Sequence, residues 1–531
     1  LNKVLLKIGN SLEKICTNTF SGLNGFKGKL TIGNHVKIIE QMSFKDFSKL
    51  NGPLILPDSL TFIGESAFER CSGLTGSLII PDSVTTIGDN AFFGCTGLSN
   101  LLQIGNSLEK INTNTFAGLT GFEGELKIGN NVKIIEYESF KDFSKLTGPL
   151  NIPKSVITIE DSAFSGCSGL TGSLIIPDSV TSIGDNAFLG CIGFSELLQI
   201  GNSLEKINTN TFAGLKDFKG TLTIGNHIKI IERESFKDFT KLTGSLIIPD
   251  SVLFIGESSF SGCSGFTGSL IIPDSVTTIG DYAFSDCTGF TGFLKIGNSI
   301  ETISTQLFLR CSGLRGNLTI GNHVKIIKKE AFKDLSQLSG SLIIPDSVTT
   351  IEDYAFSGCC KLSGILQISN SLEKICTNTF SGMNQFQGTL KIGNHVKIIE
   401  KKSFKDFSKL TGPLNIPNSI TLIDDYAFSG CSGFTGSLII PKSVIKIGNY
   451  PFMDCTGFTE SLIISDSLET IGTYTFFGCN KFNGKLQIGS NVKNIEKRAF
   501  EGFSGLSSIL TIPKSVCNIG EYAFSRCSGF S

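Results

Sequence analysis

The sequence predicts a β-rich solenoid of short, stacked parallel strands, on three observations. The first is a strict repeat. A phenylalanine stands every 24 residues from Phe20 to Phe524, 22 times, without an insertion or deletion. The second is what accompanies that anchor. Fourteen residues before it there is always a leucine, from Leu6 to Leu510, and five before it always an isoleucine, from Ile15 to Ile519. Twelve before it stands isoleucine in every copy but the one with Leu56. The third is the Leu-x-Ile alternation itself, which has the period of a strand and in ten copies runs straight into a proline. A unit this short cannot bury a core alone, so neighbouring units must share one.

The elements of one rung follow in order, taking the copy anchored at Phe284. Leu270 and Ile272 mark a short strand that Pro273 stops, because proline cannot donate to a ladder. Ser275 to Ile279 is β-branched and suits a second short extended piece. Gly280-Asp281 turns the chain. Ala283, Phe284 and Cys287 then have the spacing of three expected of one helical or 3-10 turn. Thr291-Gly292 breaks out towards the next strand. At about 4.8 Å per rung the stack is expected to be a rod of roughly 100 Å, gently curved because its non-strand side is slimmer than a full helix.

A longer period sits on the short one. The stretch Gly172–Cys191 returns almost unchanged at Gly268–Cys287, and four rungs separate the two. Copies of the type "LLQIGNSLEKINTNTF" (101–116), the type "ELKIGNNVKIIEYESF" (125–140) and two proline-bearing types follow one another, so a block of about 96 residues has been duplicated. Between Phe308 and Phe356 one copy has been lost from the cycle. The expectation is a single continuous solenoid over 1–531. It begins and ends inside a repeat without a capping unit, which suggests part of a longer chain.

The consensus resembles the BspA-like (Treponema pallidum type) leucine-rich repeat family. "IPDSVTTIGDYAFSDC" (272–287) and "IPDSVTTIEDYAFSGC" (344–359) carry the resemblance, and it extends over all copies. The unit here is one residue longer than is usual for the family, and it lacks the asparagine ladder of typical leucine-rich repeats. The resemblance implies a right-handed leucine-rich-repeat coil of about 22 turns. It also implies a secreted or cell-surface location and a non-catalytic role in binding protein or glycoprotein ligands of a host or matrix. It does not imply a particular ligand, because members share a scaffold rather than a site.

Composition agrees with a binding role and excludes others. The 46 basic and 47 acidic residues leave a formal charge of −1, which gives no electrostatic footprint for nucleic acid. No apolar run approaches the roughly 20 residues of a membrane span, so no direct insertion is expected in this segment. Twelve of the 16 cysteines stand three residues after the anchor, where other copies have Leu23, Phe47, Leu119 or Met383. A position that accepts all of these is a buried apolar slot, in which a free thiol behaves as a small hydrophobe. Disulfides between successive rungs (Cys263, Cys287, Cys311) are disfavoured because ladder side chains point in parallel. Zinc needs ligands converging from different directions, and a calcium role for Asp-rich corners such as Asp424-Asp425 is a minor alternative. His35, His227, His323 and His395 recur nine residues before the anchor, too far apart to share a metal, and read as surface residues. Phosphate-loop, nucleophile-elbow and metalloprotease motifs are missing, so neither an enzyme nor a cofactor is expected.

Binding is expected on the strand face. The residue between Leu and Ile points away from the core, and in eight copies it is isoleucine: Ile55, Ile79, Ile175, Ile247, Ile271, Ile343, Ile439 and Ile463. Elsewhere the file is mostly Lys, Gln, Thr or Asn, so apolar stripes should alternate with polar ones. Solvent-facing apolar groups mark contact sites, although β-branched residues also simply suit strands. The charged stretch "KIIEKKSFKDFSKL" (397–410) reads as a solvated face, with a docking strip for acidic glycans as the sharper alternative. Asn317-Leu318-Thr319 is a glycosylation sequon at a strand start. Two roles fit: a binding scaffold acting in adhesion, or a structural rod that self-associates end to end or laterally, since an exposed end ladder is a template for pairing.

Overall fold

The computed structural model describes residues 4–506 and 509–530. It comprises two units, Leu1–Phe266 and Thr267–Ser531, each a parallel β-solenoid. Among the described residues the pairings between rungs are parallel, most at the 24-residue offset, as in Leu102↔Leu126 on the long strands and Ile15↔Ile39 on the short ones, with a shift to 22 where a long strand begins, as in Gly76↔Leu98 and Gly172↔Phe194.

In the first unit the long strands include Gly28–Thr31, Gly76–Ile79, Leu98–Gln103, Gly124–Lys127, Gly172–Ile175 and Phe194–Gln199. The short strands are only two residues long, for example Lys14–Ile15, Ile38–Ile39 and Phe62–Ile63. Between the two ladders lies the core. Leu78, Ile80, Ile87 and Phe92 are all at most 1% exposed. The anchor rings from Phe44 to Phe260 form one file, with centroids 5.0–5.7 Å apart and planes within 15°. That exceeds the ~4.8 Å spacing of strands, so the rings tilt and slide into offset stacks, the arrangement their quadrupoles favour.

In the second unit the long strands include Leu270–Ile271, Leu342–Ile343, Ser363–Gln367, Gln387–Lys391, Leu438–Ile440 and Leu462–Ile464. The anchor file runs from Phe284 to Phe524 at 5.0–5.9 Å. Two further files are found here: Phe434, Phe458 and Phe482 inside, and Tyr426, Tyr450 and Tyr474 on the surface at 4.6 and 4.8 Å. The second extended piece is shorter than expected, since only Thr278–Ile279 of the stretch from Ser275 is strand.

The expected helical or 3-10 turn is corrected: no helix occurs among the described residues. The segment around the anchor is instead a run of overlapping reverse turns with left-handed residues two positions either side of it, Tyr282 at φ 60° and Asp286 at φ 62°. The Ser285 N–H donates within the segment to the Tyr282 carbonyl. The alternate N–H groups of Tyr282, Phe284 and Asp286 donate along the stack, to Thr305, Leu307 and Leu309. A helix would keep all its donors to itself. Here the left-handed residues flip alternate peptides so that this side of the rung is hydrogen-bonded to its neighbour as well.

The long-strand ladder is interrupted at regular places. In the first unit 53–56, 149–152 and 245–248 form no strand, and in the second unit neither does 413–416, nor 317–320, where only Thr319 makes an isolated bridge. Apart from 317–320, which follows Cys311, each of these rungs follows a copy whose slot three residues after the anchor holds a phenylalanine (Phe47, Phe143, Phe239, Phe407). Phe143 lies edge-on to Phe140 at 5.9 Å and tilted against Phe122 at 5.6 Å. Phe407 repeats this with Phe404 and Phe386. A ring fills more room than a thiol or a leucine and lifts the chain that leaves it away from the ladder. Pro53, Pro149 and Pro413 add a missing donor, but Ser245 stands at the third break, so the ring alone is sufficient there.

Candidate binding face

Along each long strand the pattern is inward, outward, inward: Leu438 and Ile440 are buried and Ile439 between them is 52% exposed. Ile79, Ile175, Ile271 and Ile343 are exposed in the same way, and Ile55 and Ile247, on rungs that form no strand, are both 73% exposed. The eighth candidate, Ile463, is only half-buried, because it is flanked in register by Ile439 on one side and Gln487 on the other. Four of the exposed isoleucines have a long polar neighbour on the following rung. Ile79 faces Gln103, Ile175 faces Gln199, Ile271 faces Lys295 and Ile343 faces Gln367. Each apolar stripe is therefore bordered by a side chain with an aliphatic stem and a polar tip.

Two charges of the stretch at 397–410 reach the preceding rung, and Lys405 lies 3.8 Å from Asp406 within the stretch. Lys397 pairs with Glu373 at 3.0 Å and Glu400 with Lys374 at 3.0 Å. The same Lys–Glu pairing recurs at Lys133–Glu109 and Lys229–Glu205. These exposed pairs are worth little individually, and they leave fewer free cations for an acidic glycan than the sequence alone suggests. Asn317 is exposed, and its carboxamide oxygen lies over Gly340.

The cysteines are free, and those after the anchor are buried or, for Cys527, half-buried. Their thiols donate to the anchor carbonyl of the preceding rung, as from Cys71 to Phe44 at 3.1 Å and from Cys431 to Phe404 at 3.1 Å. Burial pushes both thiols well above their ordinary value. Cys376, on another slot, is pushed up to about 11 by burial. Its sulfur lies with carboxylate oxygens of Asp353 and Glu400 in a group spanning 4.8 Å. Both carboxylates already accept the Thr377 N–H, at 3.1 Å each. Three of the four recurrent histidines share one structural role: Nδ1 of His35, His227 and His395 contacts the backbone carbonyl of Asn10, Asn202 and Asn370 at 2.6–2.7 Å.

The expected lack of an asparagine ladder is corrected in part, since an Asn/Asp side-chain ladder runs along the corner after the long strand. Asn10 accepts the backbone N–H of Asn34, Asp82 that of Asn106, and Asn106 that of Asn130, at 2.7–3.0 Å. In the second unit Asp346 accepts from Asn370 and Asn370 from Asn394. The signal was present as Asn or Asp ten residues before most anchors, but Asx residues are so common in turns that it reads as turn chemistry.

Stacked parallel rungs with a leucine-lined core and an exposed strand face define a leucine-rich-repeat solenoid. The chain belongs to the BspA-type leucine-rich repeat family: the family model "BspA type Leucine rich repeat region" matches six times, over residues 4–122, 133–267, 207–339, 265–387, 327–459 and 397–531. These are repeats of bacterial surface-type proteins that generally serve as protein–protein interaction scaffolds. No curated protein matches the chain. Among solved structures, a leucine-rich repeat protein from Bacteroides ovatus is 21% identical, covering 77% of this chain and 91% of that one with a TM-score of 0.47. A leucine rich cell surface protein from Faecalibacterium prausnitzii is 19% identical over 78% of this chain and 87% of that one, at a TM-score of 0.29. The T. pallidum leucine rich repeat protein is 21% identical over 36% and 77%, at 0.27. Among the described residues no helix is long and apolar enough to cross a membrane.

Proposed function

We propose that the chain is a non-catalytic adhesion scaffold that holds protein or glycoprotein ligands of a host or matrix on the outer face of its long-strand ladder, in an extracellular or cell-surface setting. The observation that carries this reading is the outward file of isoleucines. Packing cannot explain them, since Ile55 and Ile247 are almost three-quarters exposed. Strand propensity alone would be met by the threonine found at Thr31 and Thr223 of the same file. Surface apolar groups bordered by polar ones are the usual composition of a contact patch.

The test is surface plasmon resonance of the chain over a panel of immobilised matrix glycoproteins. At least one should bind, and Ile247→Lys with Ile271→Lys should weaken that binding at least tenfold while the melting temperature stays the same. Unchanged binding in the double variant, or no binding across the panel, overturns the reading. Light scattering against concentration separates the structural alternative: a mass that grows with concentration in the absence of ligand indicates a self-associating rod instead.

A further inference from the structure

Two grooves of matching composition open on the long-strand face, one in each unit, both at a break in the ladder. The first, of about 960 Å³, is lined among others by Pro149, Asn151, Thr171, Ser173, Ile175 and Glu196. The second, of about 720 Å³, is lined by the residues 264 positions later: Pro413, Asn415, Thr435, Ser437, Ile439 and Glu460. Both volumes lie in the range of about 300–1,000 Å³ typical of ligand sites.

The lining is not an automatic result of the repeat. Asparagine occupies the outward position of the long strand at Asn151 and Asn415 and in no other copy. Sixteen residues before the anchor most copies have a glycine, and glutamate stands there only at Glu196 and Glu460. The two substitutions therefore occur together, 45 residues apart, in two blocks, and in the remaining blocks neither is found. The structure shows why they belong together: each pair meets in one groove.

The glutamates are held in the same way in both. Ser173 Oγ donates to Glu196 Oε2 at 3.2 Å, and Ser437 Oγ donates to Glu460 Oε2 at 2.8 Å. In each, that oxygen lies over the corner glycine of the preceding rung, Gly172 or Gly436. Neither carboxylate has an ion pair among the described residues. Glu460 is the only charged group lining the second groove. In the first, Lys154 and Asp178 also line the site, and Glu196 leaves it with a net charge of −1. Asp178 is engaged in accepting from the N–H of Asn202 at 2.7 Å.

The broken ladder supplies the second feature. Among the described residues, none of Leu150, Asn151 and Ile152 donates a backbone hydrogen bond, and the same is true of Leu414, Asn415 and Ile416. Main-chain groups left without partners favour a ligand that carries its own peptide donors and acceptors.

We propose that each groove binds an extended segment of a protein partner, with a lysine or arginine side chain of that segment on Glu196 in one groove and on Glu460 in the other. The cation answers the single net charge, and a charge-assisted hydrogen bond to a carboxylate already oriented by a serine is the strongest contact the groove can make. Asn151 and Asn415 offer a donor and an acceptor to the segment's main chain, and Ile175 and Ile439 receive its apolar neighbour. This rests on the reading that the strand face binds protein, and it adds a specificity for basic segments and a stoichiometry of two per chain.

The test is calorimetric titration of the full chain with an acetylated, amidated heptapeptide containing one central lysine, and with the same peptide carrying glutamine there. The lysine peptide should bind at two sites per chain and at least tenfold more tightly than the glutamine peptide. Glu196→Gln should leave one site, Glu460→Gln one, and the double variant none, with circular dichroism unchanged. Equal binding of the two peptides, undiminished binding to the double variant, or no binding at millimolar peptide overturns the proposal. Preferential binding of a neutral trisaccharide, lost in the same double variant, would overturn it in favour of a saccharide site. If the peptide fails while the isoleucine variants still abolish capture of a matrix glycoprotein, the binding-face reading stands and only this inference falls.

Discussion

At the residue scale the cysteines are the most instructive group. A file of thiols invites a disulfide reading, but these cysteines are free and their thiols donate to backbone carbonyls, as Cys71 does to Phe44 and Cys431 to Phe404. Their burial has a thermodynamic consequence. Unfolded thiols ionise near pH ~8.5, whereas the buried ones keep their protons. Above that pH the folded state therefore binds more protons than the unfolded state, and stability falls as pH rises. Cys431→Leu, which installs the side chain that Leu335 places in the same slot, should reduce the loss of melting temperature between about pH 8 and pH 10. An identical slope in the variant would show that this thiol does not titrate on unfolding. With a thiol reagent at neutral pH, the exposed Cys16 and Cys517 should react promptly and the buried cysteines only after denaturant is added. Gly220 is the other telling residue. A Cβ there would lie 1.6 Å from the Glu196 carbonyl oxygen, on backbone that cannot move aside. Gly220→Ala should lower the melting temperature far more than Gly190→Ala, whose added Cβ would have no neighbour within 4 Å although its φ of 72° carries some strain.

At the element scale the long-strand ladder is punctuated by aromatic rings. The stretch "SLIIP" stands at both 173–177 and 245–249, yet Gly172–Ile175 is strand and 245–248 is not. The difference originates six residues upstream, in the volume of Phe239 where the other rung follows Cys167, and Phe143 occupies the same slot before 149–152. Hydrogen exchange should report it directly. The amides of Asn151 and Ile152 should exchange faster than that of Ile176, which donates to Gln199 at 2.8 Å. Equal protection would mean that the break closes in solution. Phe143→Cys, which installs the common occupant of the slot, should slow exchange at Asn151 and Ile152 even though removal of a buried ring costs about 3 kcal/mol locally. The turn segment teaches a similar lesson. A spacing of three suggested a helical turn, but a helix satisfies its own donors, whereas a solenoid gains more when alternate donors reach the next rung. Ser66, Tyr282 and Tyr426 accept left-handed backbone for that reason.

At the scale of the whole chain, the strict period makes the rung the unit of stability. Removal of 96 residues, from 77 to 172, joins Gly76 to Ser173 and keeps every ladder in register. That variant should retain a cooperative transition and native circular dichroism. Removal of 84 residues from the same start would place core leucines against corner positions and should unfold the region; equal tolerance of the two would contradict a register-locked stack. The sequence by itself determined the architecture, because an invariant anchor with invariant companions leaves one way to bury Leu, Ile and Phe together. It also determined which isoleucines face outward, since period-two alternation decides that in any strand. The tertiary structure decided what depends on volume and on partners from other rungs. It replaced a helical turn with overlapping turns, turned an anonymous Asn/Asp file into a ladder, and broke the sheet where a ring replaces a thiol. It also brought Asn151 to Glu196 and Asn415 to Glu460, pairs that lie 45 residues apart and have no local periodicity to join them. Composition fixes what one rung can bury, but only the stack fixes which residues of different rungs share a space.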